Sequence, residues 1–161
     1  HTQTLSIKPE IKFTNQKIKF GNAFHDFMSR ILYVSDYKKE AEIFMKLNFI
    51  DLEVKKQILS VSKQLINHPN LKKHFLSNNS VVCEKEIFVD NGKPIRPDRI
   101  VFNENNQIVI IDYKTGERSN KDENQIKKYR QILSKMGYKV NKTALIYVSA
   151  NNNDIDIVSN K

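Results

Sequence analysis

Residues 96–116 read RPDRIVFNENNQIVIIDYKTG. Within them, Gln107–Lys114 (QIVIIDYK) is a short, almost unbroken apolar run, the pattern of a central strand covered on both faces. The preceding stretch, Ile95–Phe102, predicts another strand, and Asn103–Asn106 is a polar turn between the two. Alternate residues of a strand share a face. Asp112 and Lys114 therefore point the same way as Ile110, while Tyr113 points the other way. Asp98 has the parity of Ile100 and Phe102. Antiparallel pairing about the turn sets Asp98 opposite about position 111, beside Asp112. Two carboxylates meeting at one end of a sheet repel each other unless a cation lies between them. Oxygen ligands of this kind suit Mg²⁺ or Mn²⁺. A neighbouring lysine orients or deprotonates a water, or offsets charge on a phosphate. The set points to metal-assisted hydrolysis of a phosphodiester.

Upstream of this stretch, Ser80–Asp90 predicts a strand, and Asp90-Asn91-Gly92 is a hairpin signal. Further upstream the period becomes helical. Phe24, Phe27, Met28, Ile31 and Leu32 predict an amphipathic helix over about 21–34. Asp36 is a candidate cap for a second helix to about Leu47. Asp51 is a candidate cap for a third, with Val54, Ile58, Val61, Leu65 and Ile66 as its apolar stripe. Pro69 closes this region, and Leu71–Leu76 forms another turn or two. Downstream, Asn124–Met136 predicts a helix with Ile126, Tyr129, Ile132, Leu133 and Met136 facing inward, ended at Gly137. Thr143–Ser149 predicts a strand, and Ile155–Val158 a last short one. Residues 1–19 carry no clear period and read as an extended lead-in or linker from an upstream region. Residues 20–161 then form a single domain. The fold class expected is α/β, a mixed central sheet flanked by helices.

The composition limits the classes available. The chain has 161 residues, 39% of them hydrophobic and 28% charged, and a mean hydropathy of −0.56. No apolar run approaches the roughly 20 residues that span a bilayer, so no membrane partner is expected. A single cysteine, Cys83, excludes an intramolecular disulfide framework and a four-cysteine iron–sulfur cluster within this chain. Twenty-seven basic against 18 acidic residues give a net charge of +9, which favours a polyanionic partner, nucleic acid first. The start at His1, without a Met, reads as a fragment of a longer chain.

Five elements in order carry a resemblance to a family: Gly21-Asn-Ala-Phe-His25; Glu84 in CEKEIF; Arg96-Pro97-Asp98-Arg99; Ile111-Asp112-Tyr113-Lys114-Thr115-Gly116; and Gln125-x-x-x-Tyr129. Together they resemble the PD-(D/E)XK nuclease superfamily. More narrowly they are similar to the RecB/AddA-like C-terminal nuclease domain of UvrD-type ATP-dependent helicase–exonucleases. The likeness spans residues 21–129, and extends to about 149 with the MGY…LIYV segment. The resemblance implies a restriction-endonuclease-like fold and a metal-dependent deoxyribonuclease acting in double-strand break repair and recombination. Asp98, Asp112, the Tyr113 carbonyl and His25 would hold Mg²⁺ or Mn²⁺. Lys114 would position or activate the attacking water, and Glu84 would be an accessory acidic group, preferred by spacing over Glu86. Gln125 and Tyr129 would hold the DNA strand or brace the site. Arg96 and Arg99 flank Asp98 and would contact phosphate or brace carboxylates. Lys121, Lys127 and Lys128 would offer a DNA-facing rim. His1, His68 and His74 read as surface residues.

Implied partners are DNA, an upstream helicase domain and a second repair subunit. The implied setting is the cytoplasm of a bacterium, at the nucleoid. Cysteine-clamped clusters of some relatives are not expected here, and the chain has no Walker motif, hence no nucleotide site of that kind. Other readings stay open. One is a catalytically silent DNA-binding module on the same fold. Another is a restriction or junction-resolving endonuclease of the superfamily. A third, a basic RNA-associated domain, leaves the carboxylate–lysine set unexplained.

Overall fold

The computed structural model describes the backbone of residues 9–150 and 154–161, and side chains from Lys19 onward. His1 lies outside the described residues. The elements are helices α1 (Pro9–Ser29), α2 (Tyr37–Met45) and α3 (Leu52–Asn67), strands β1 (Ser80–Cys83), β2 (Arg99–Phe102) and β3 (Gln107–Lys114), helix α4 (Asn120–Lys135), and strands β4 (Lys139–Val148) and β5 (Ile155–Asn160). The five strands form one sheet in the order β1-β2-β3-β4-β5. The pairs β1–β2, β2–β3 and β4–β5 are antiparallel, and β3–β4 is parallel across the α4 crossover. This is the mixed α/β sheet flanked by helices that the sequence predicts.

The period of two sorts the sheet into two faces. Val101, Val109, Ile111, Tyr113, Ala144 and Ile146 pack against Phe20, Phe24, Phe27, Met28 and Ile31 of α1 and its end, with Ile58, Val61 and Leu65 of α3. Ile100, Ile108, Ile110 and Leu145 pack against Ile126, Tyr129 and Leu133 of α4. The central strand β3 is thus covered on both faces, as its apolar run predicts.

Several elements differ from expectation. Helix α1 is already formed at Pro9, well ahead of residue 21, so residues 9–19 are helical and not an extended lead-in. The first β-hairpin is short. Beyond Cys83 and Arg99 the ladder continues only through Glu84 N–H to the Asp98 carbonyl and one isolated bridge, Ile87–Ile95. Glu84 adopts a left-handed conformation, φ 53°, which bends the strand out of the sheet. Leu32 and Met136, expected on apolar faces, are exposed.

Two polar residues are buried against expectation. Arg99, expected at phosphate or carboxylates, is fully buried. It shares the parity of Val101 and so enters the helix-facing layer. Its guanidinium donates to the carbonyls of Ile31 (2.7 Å), Leu32 and His74 (2.9 Å), and lies 4.0 Å from the centre of the Phe75 ring. It ties the chain leaving α1 to the turn after α3. His74, expected at the surface, is buried. Burial, with Lys73, Lys142 and Arg99 nearby, lowers its pKa to about 4.

Arg99→Met should destabilise the protein by about 3 kcal/mol or more in urea unfolding, because it strands buried carbonyls that Arg99 satisfies. An effect under about 1 kcal/mol would overturn that role. His74 has a folded pKa below its unfolded value, so the unfolded chain takes up the proton first. Its contribution is complete above about pH 6.5 and is lost as pH falls toward about 4. The stability difference between the wild type and His74→Gln should therefore shift against the wild type over that interval. A constant difference would refute the assignment.

Candidate active site

Arg99 stands opposite Ile111 in the β2–β3 ladder. Asp98 and Asp112 consequently face each other one step further on, at the C-terminal end of β3. Their contacts are reciprocal. The Asp98 N–H donates to Asp112 Oδ1 over a long 3.4 Å, and the Tyr113 N–H donates to Asp98 Oδ2 at 2.7 Å. Side-chain oxygens thus continue the β2–β3 ladder beyond its last regular pair, Arg99–Ile111. Both carboxylates are buried. Burial raises the Asp98 pKa to about 7; Asp112 and Glu84 push the same way, and His25 opposes them.

His25 reaches the pair from α1. Its Nδ1 lies 2.9 Å from the Gly21 carbonyl oxygen, and its Nε2 lies 2.9 Å from the Tyr113 carbonyl oxygen and 3.2 Å from Asp98 Oδ2. Every partner is an acceptor, which suits a ring carrying both protons. Burial alone lowers the His25 pKa, but Asp98 and the two carbonyls outweigh it and raise it to about 9. Gly21 does more than supply a carbonyl. A β-carbon there would lie 2.8 Å from Thr115 Oγ1, so its absence lets α1 approach the end of β3.

Lys114 lies on the Asp112 face, as parity predicts. Its Nζ is 2.7 Å from Asp112 Oδ2 and donates to Gln125 Oε1 at 2.7 Å. Gln125 therefore holds the lysine from α4. Tyr129, one turn further on, is buried in the α4-facing core. Burial raises its pKa to about 12, with Asp112, Asp98 and Glu84 adding to the effect. Glu84 pairs with Arg96 Nε at 3.2 Å. Asn22, His25, Asp26, Ser29, Glu84, Arg96 and Asp98 line a cleft of about 520 Å³. Lys121, Lys127 and Lys128 are exposed along α4.

Asp122 belongs to this neighbourhood and was not singled out from the sequence. Its Oδ1 lies 4.0 Å from Lys114 Nζ, and its Oδ2 accepts from the Tyr147 hydroxyl at 2.9 Å. The available signal was its place in the first turn of α4, three residues after the Ser119 cap, where acidic residues are favoured.

The chain belongs to the PD-(D/E)XK nuclease superfamily. The family model of that description matches residues 2–156, nearly the whole length. Members of this nuclease superfamily are generally hydrolases and usually use divalent metal ions. No curated protein matches the chain. A solved structure titled "Crystal structure of SSO0001" aligns with 93% of this chain and 77% of that one, at 21% identity and a TM-score of 0.34.

Two carboxylates, a strand carbonyl and a neutral imidazole are donors that a divalent cation can take. His25 Nε2 already lies beside two of the others, Asp98 Oδ2 and the Tyr113 carbonyl. Among the described residues, no three or more His, Cys, Asp or Glu side chains are arranged as a metal cage. The carboxylates and the backbone carbonyl fit the ion by donor chemistry, and His25 would join them on giving up its Nε2 proton to the incoming cation.

Gly21→Ala should destabilise the protein in urea unfolding, since the new β-carbon meets Thr115 Oγ1. In a Thr115→Ala background the same change should instead stabilise by about 0.5–1 kcal/mol, the helix-propensity gain of alanine over glycine. The same sign in both backgrounds would show that Thr115 is not the obstacle.

Proposed function

We propose that this chain is a divalent-metal-dependent deoxyribonuclease domain, and more narrowly the exonuclease domain of a helicase–nuclease acting in double-strand break repair and recombination. The observation that carries the hydrolytic reading is the meeting of Asp98, Asp112 and Lys114 at one end of β3. The narrower reading rests on the order of the five motifs from Gly21 to Tyr129, and on the His25 and Gln125 contacts that tie the two outer motifs to this centre.

In this reading Asp98, Asp112, the Tyr113 carbonyl and a neutral His25 would hold Mg²⁺ or Mn²⁺, which would supply Lewis acidity toward the phosphoryl oxygen and lower the pKa of water. Lys114, held between Asp112 and Gln125, presents its ammonium to the attacking water and offsets negative charge developing on the phosphate. Asp112 and Gln125 fix that ammonium before substrate arrives, so little reorganisation is left for the reaction. Glu84 and Arg96 line the adjoining cleft, where Arg96 contacts the DNA backbone. The partners are DNA and an upstream UvrD-type helicase domain, together with a second repair subunit. The setting is the bacterial cytoplasm, at the nucleoid. ATP-dependent unwinding by the parent protein tests that wider assignment.

The purified protein should degrade DNA with Mn²⁺ or Mg²⁺ and not with EDTA. Asp112→Ala should abolish both cleavage and calorimetric metal binding. Lys114→Ala should keep metal binding and lower cleavage by about 10²-fold or more. Metal binding without cleavage would mean that the site needs its motor to deliver DNA. Absence of both in the wild type would sink the catalytic reading and favour a silent DNA-binding module.

A further inference from the structure

The ladder between β3 and β4 is interrupted once. Ile108 pairs with Val140 and Val109 with Lys142, so Asn141 is an extra residue in β4. A bulge of this kind breaks the alternation of a strand and re-aims its side chains. Asn141 and Lys142, neighbours in sequence, accordingly line the same cleft. Lys73, His74 and Asn78 of the turn after α3 line it too, with Asn103 from the end of β2. The cleft holds about 270 Å³. That is below the roughly 300 Å³ at which pockets for drug-sized ligands begin, so it suits a small group.

Ammonium groups, an imidazole and side-chain amides line this cleft, and no carboxylate does. Residues 72–79, 103–107 and 139–142 carry Lys72, Lys73, Lys139 and Lys142 against one acid, Glu104. Lys161 adds a further cation, next to Asn160, which pairs with Thr143. Among the described residues, neither Lys73 nor Lys142 is in an ion pair. Burial lowers the Lys142 pKa, and Lys73 and Lys161 lower it further. His74 is buried, yet its ring makes no hydrogen bond among the described residues, and neither ring nitrogen is sealed from solvent. The fold keeps these like charges together. Arg99 donates to the His74 carbonyl at 2.9 Å, and Asn79 Nδ2 donates to the Lys73 carbonyl at 2.8 Å. The backbone under both residues is thus fixed before any ligand arrives, which lowers the cost of binding one.

We propose that this cleft is an anion site that takes one phosphate group, bound by Lys73, Lys142 and His74 with the amides of Asn78 and Asn141. A phosphate carries negative charge on oxygens that accept from several donors at once. Here it relieves the repulsion among the cations and gives the His74 ring a partner. The site lies apart from the candidate active site. Val109 precedes Asp112 by three residues, about 10 Å of strand. Val109 faces α1 and α3, whereas Asp112 has the parity of Ile110 on the α4 side. A phosphate is therefore held here and not cleaved, whether or not the chain cuts DNA elsewhere. Free phosphate and the backbone of DNA share this chemistry, and two probes separate them.

The test is an NMR titration of the protein in metal-free, chelator-treated buffer, with inorganic phosphate set against chloride at equal ionic strength. Phosphate and not chloride should shift the side-chain amides of Asn78 and Asn141. It should also raise the His74 pKa from the value of about 4 that burial, Lys73, Lys142 and Arg99 impose, because an adjacent anion favours the charged ring. Lys73→Gln combined with Lys142→Gln should weaken phosphate binding by about tenfold or more. Lys39→Gln, exposed on α2, should match the wild type. Unchanged spectra away from the cleft show that the variants fold. A short oligonucleotide is the second probe, uncut in the absence of metal. Shifts at the same amides, lost in the double variant, support the site and assign its phosphate to the DNA backbone. Shifts with inorganic phosphate alone support the site and assign it to free phosphate. No shift with either probe, shifts that survive in the double variant, or an equal loss in Lys39→Gln would overturn the proposal. Metal-dependent cleavage is scored separately, so failure of the anion site and failure of the nuclease are told apart.

Discussion

Arg99 stands opposite Ile111 in the antiparallel ladder of β2 and β3, and that register places the chemistry of the molecule. A slip of one residue would exchange the faces of a strand. Asp98 would then leave Asp112, and Arg99 would leave the helix layer. Both faces of the sheet resist such a slip. Val101 and Ile111 are committed to the α1–α3 side, and Ile100 and Ile110 to the α4 side. The carboxylate pair is thus held by burial of its apolar neighbours, not by attraction between like charges. The Tyr113 N–H to Asp98 and the His25 contact lessen the remaining repulsion.

The same register makes Arg99 a connector. A buried guanidinium is costly unless its donors are used. Here the two Nη groups donate to carbonyls where the chain leaves α1 and to the turn after α3, while the buried Nε has no hydrogen-bond partner. No carboxylate is among these hydrogen-bond partners. Helix α1 is held at two points. Arg99 takes the chain just beyond its last residue, and the gap over Gly21 seats it against Thr115. Between those points lies His25, whose reach to Tyr113 and Asp98 depends on both.

The sequence displays most of this in residues 96–116. Periodicity identifies β3 residue for residue, and parity separates Asp112 and Lys114 from Tyr113. The register estimated from the turn, position 98 near 111, falls one residue from the observed pairing with 112. Arg99 was legible too, since its parity is that of Val101, but an arginine beside Pro-Asp invites a phosphate contact, and charge outweighed parity. His74 was not legible, because nothing local marks a histidine buried under a turn that tertiary packing closes. Residues 9–19 carry no apolar stripe, and a stripe is the main signal of a helix. The short β1 depends on the bend at Glu84, a left-handed conformation that glutamate does not advertise.

The charge distribution divides the work of a DNA-cleaving site. The net +9 belongs to the surface, where exposed lysines attract a polyanion over a distance set by screening, about 8 Å at physiological salt. The centre has the opposite character: Glu84, Asp98, Asp112 and Asp122 surround Lys114 and His25. A phosphate drawn in by the surface meets a local excess of carboxylate at the end of β3. Lys114 is already shared between Asp112 and Gln125, and His25 Nε2 lies against Asp98 and the Tyr113 carbonyl. Attraction of the strand and acceptance of its phosphate are therefore separate tasks. Lysines such as Lys121, Lys127 and Lys128 suit the first, and the acidic corner suits the second once a divalent cation reverses its sign.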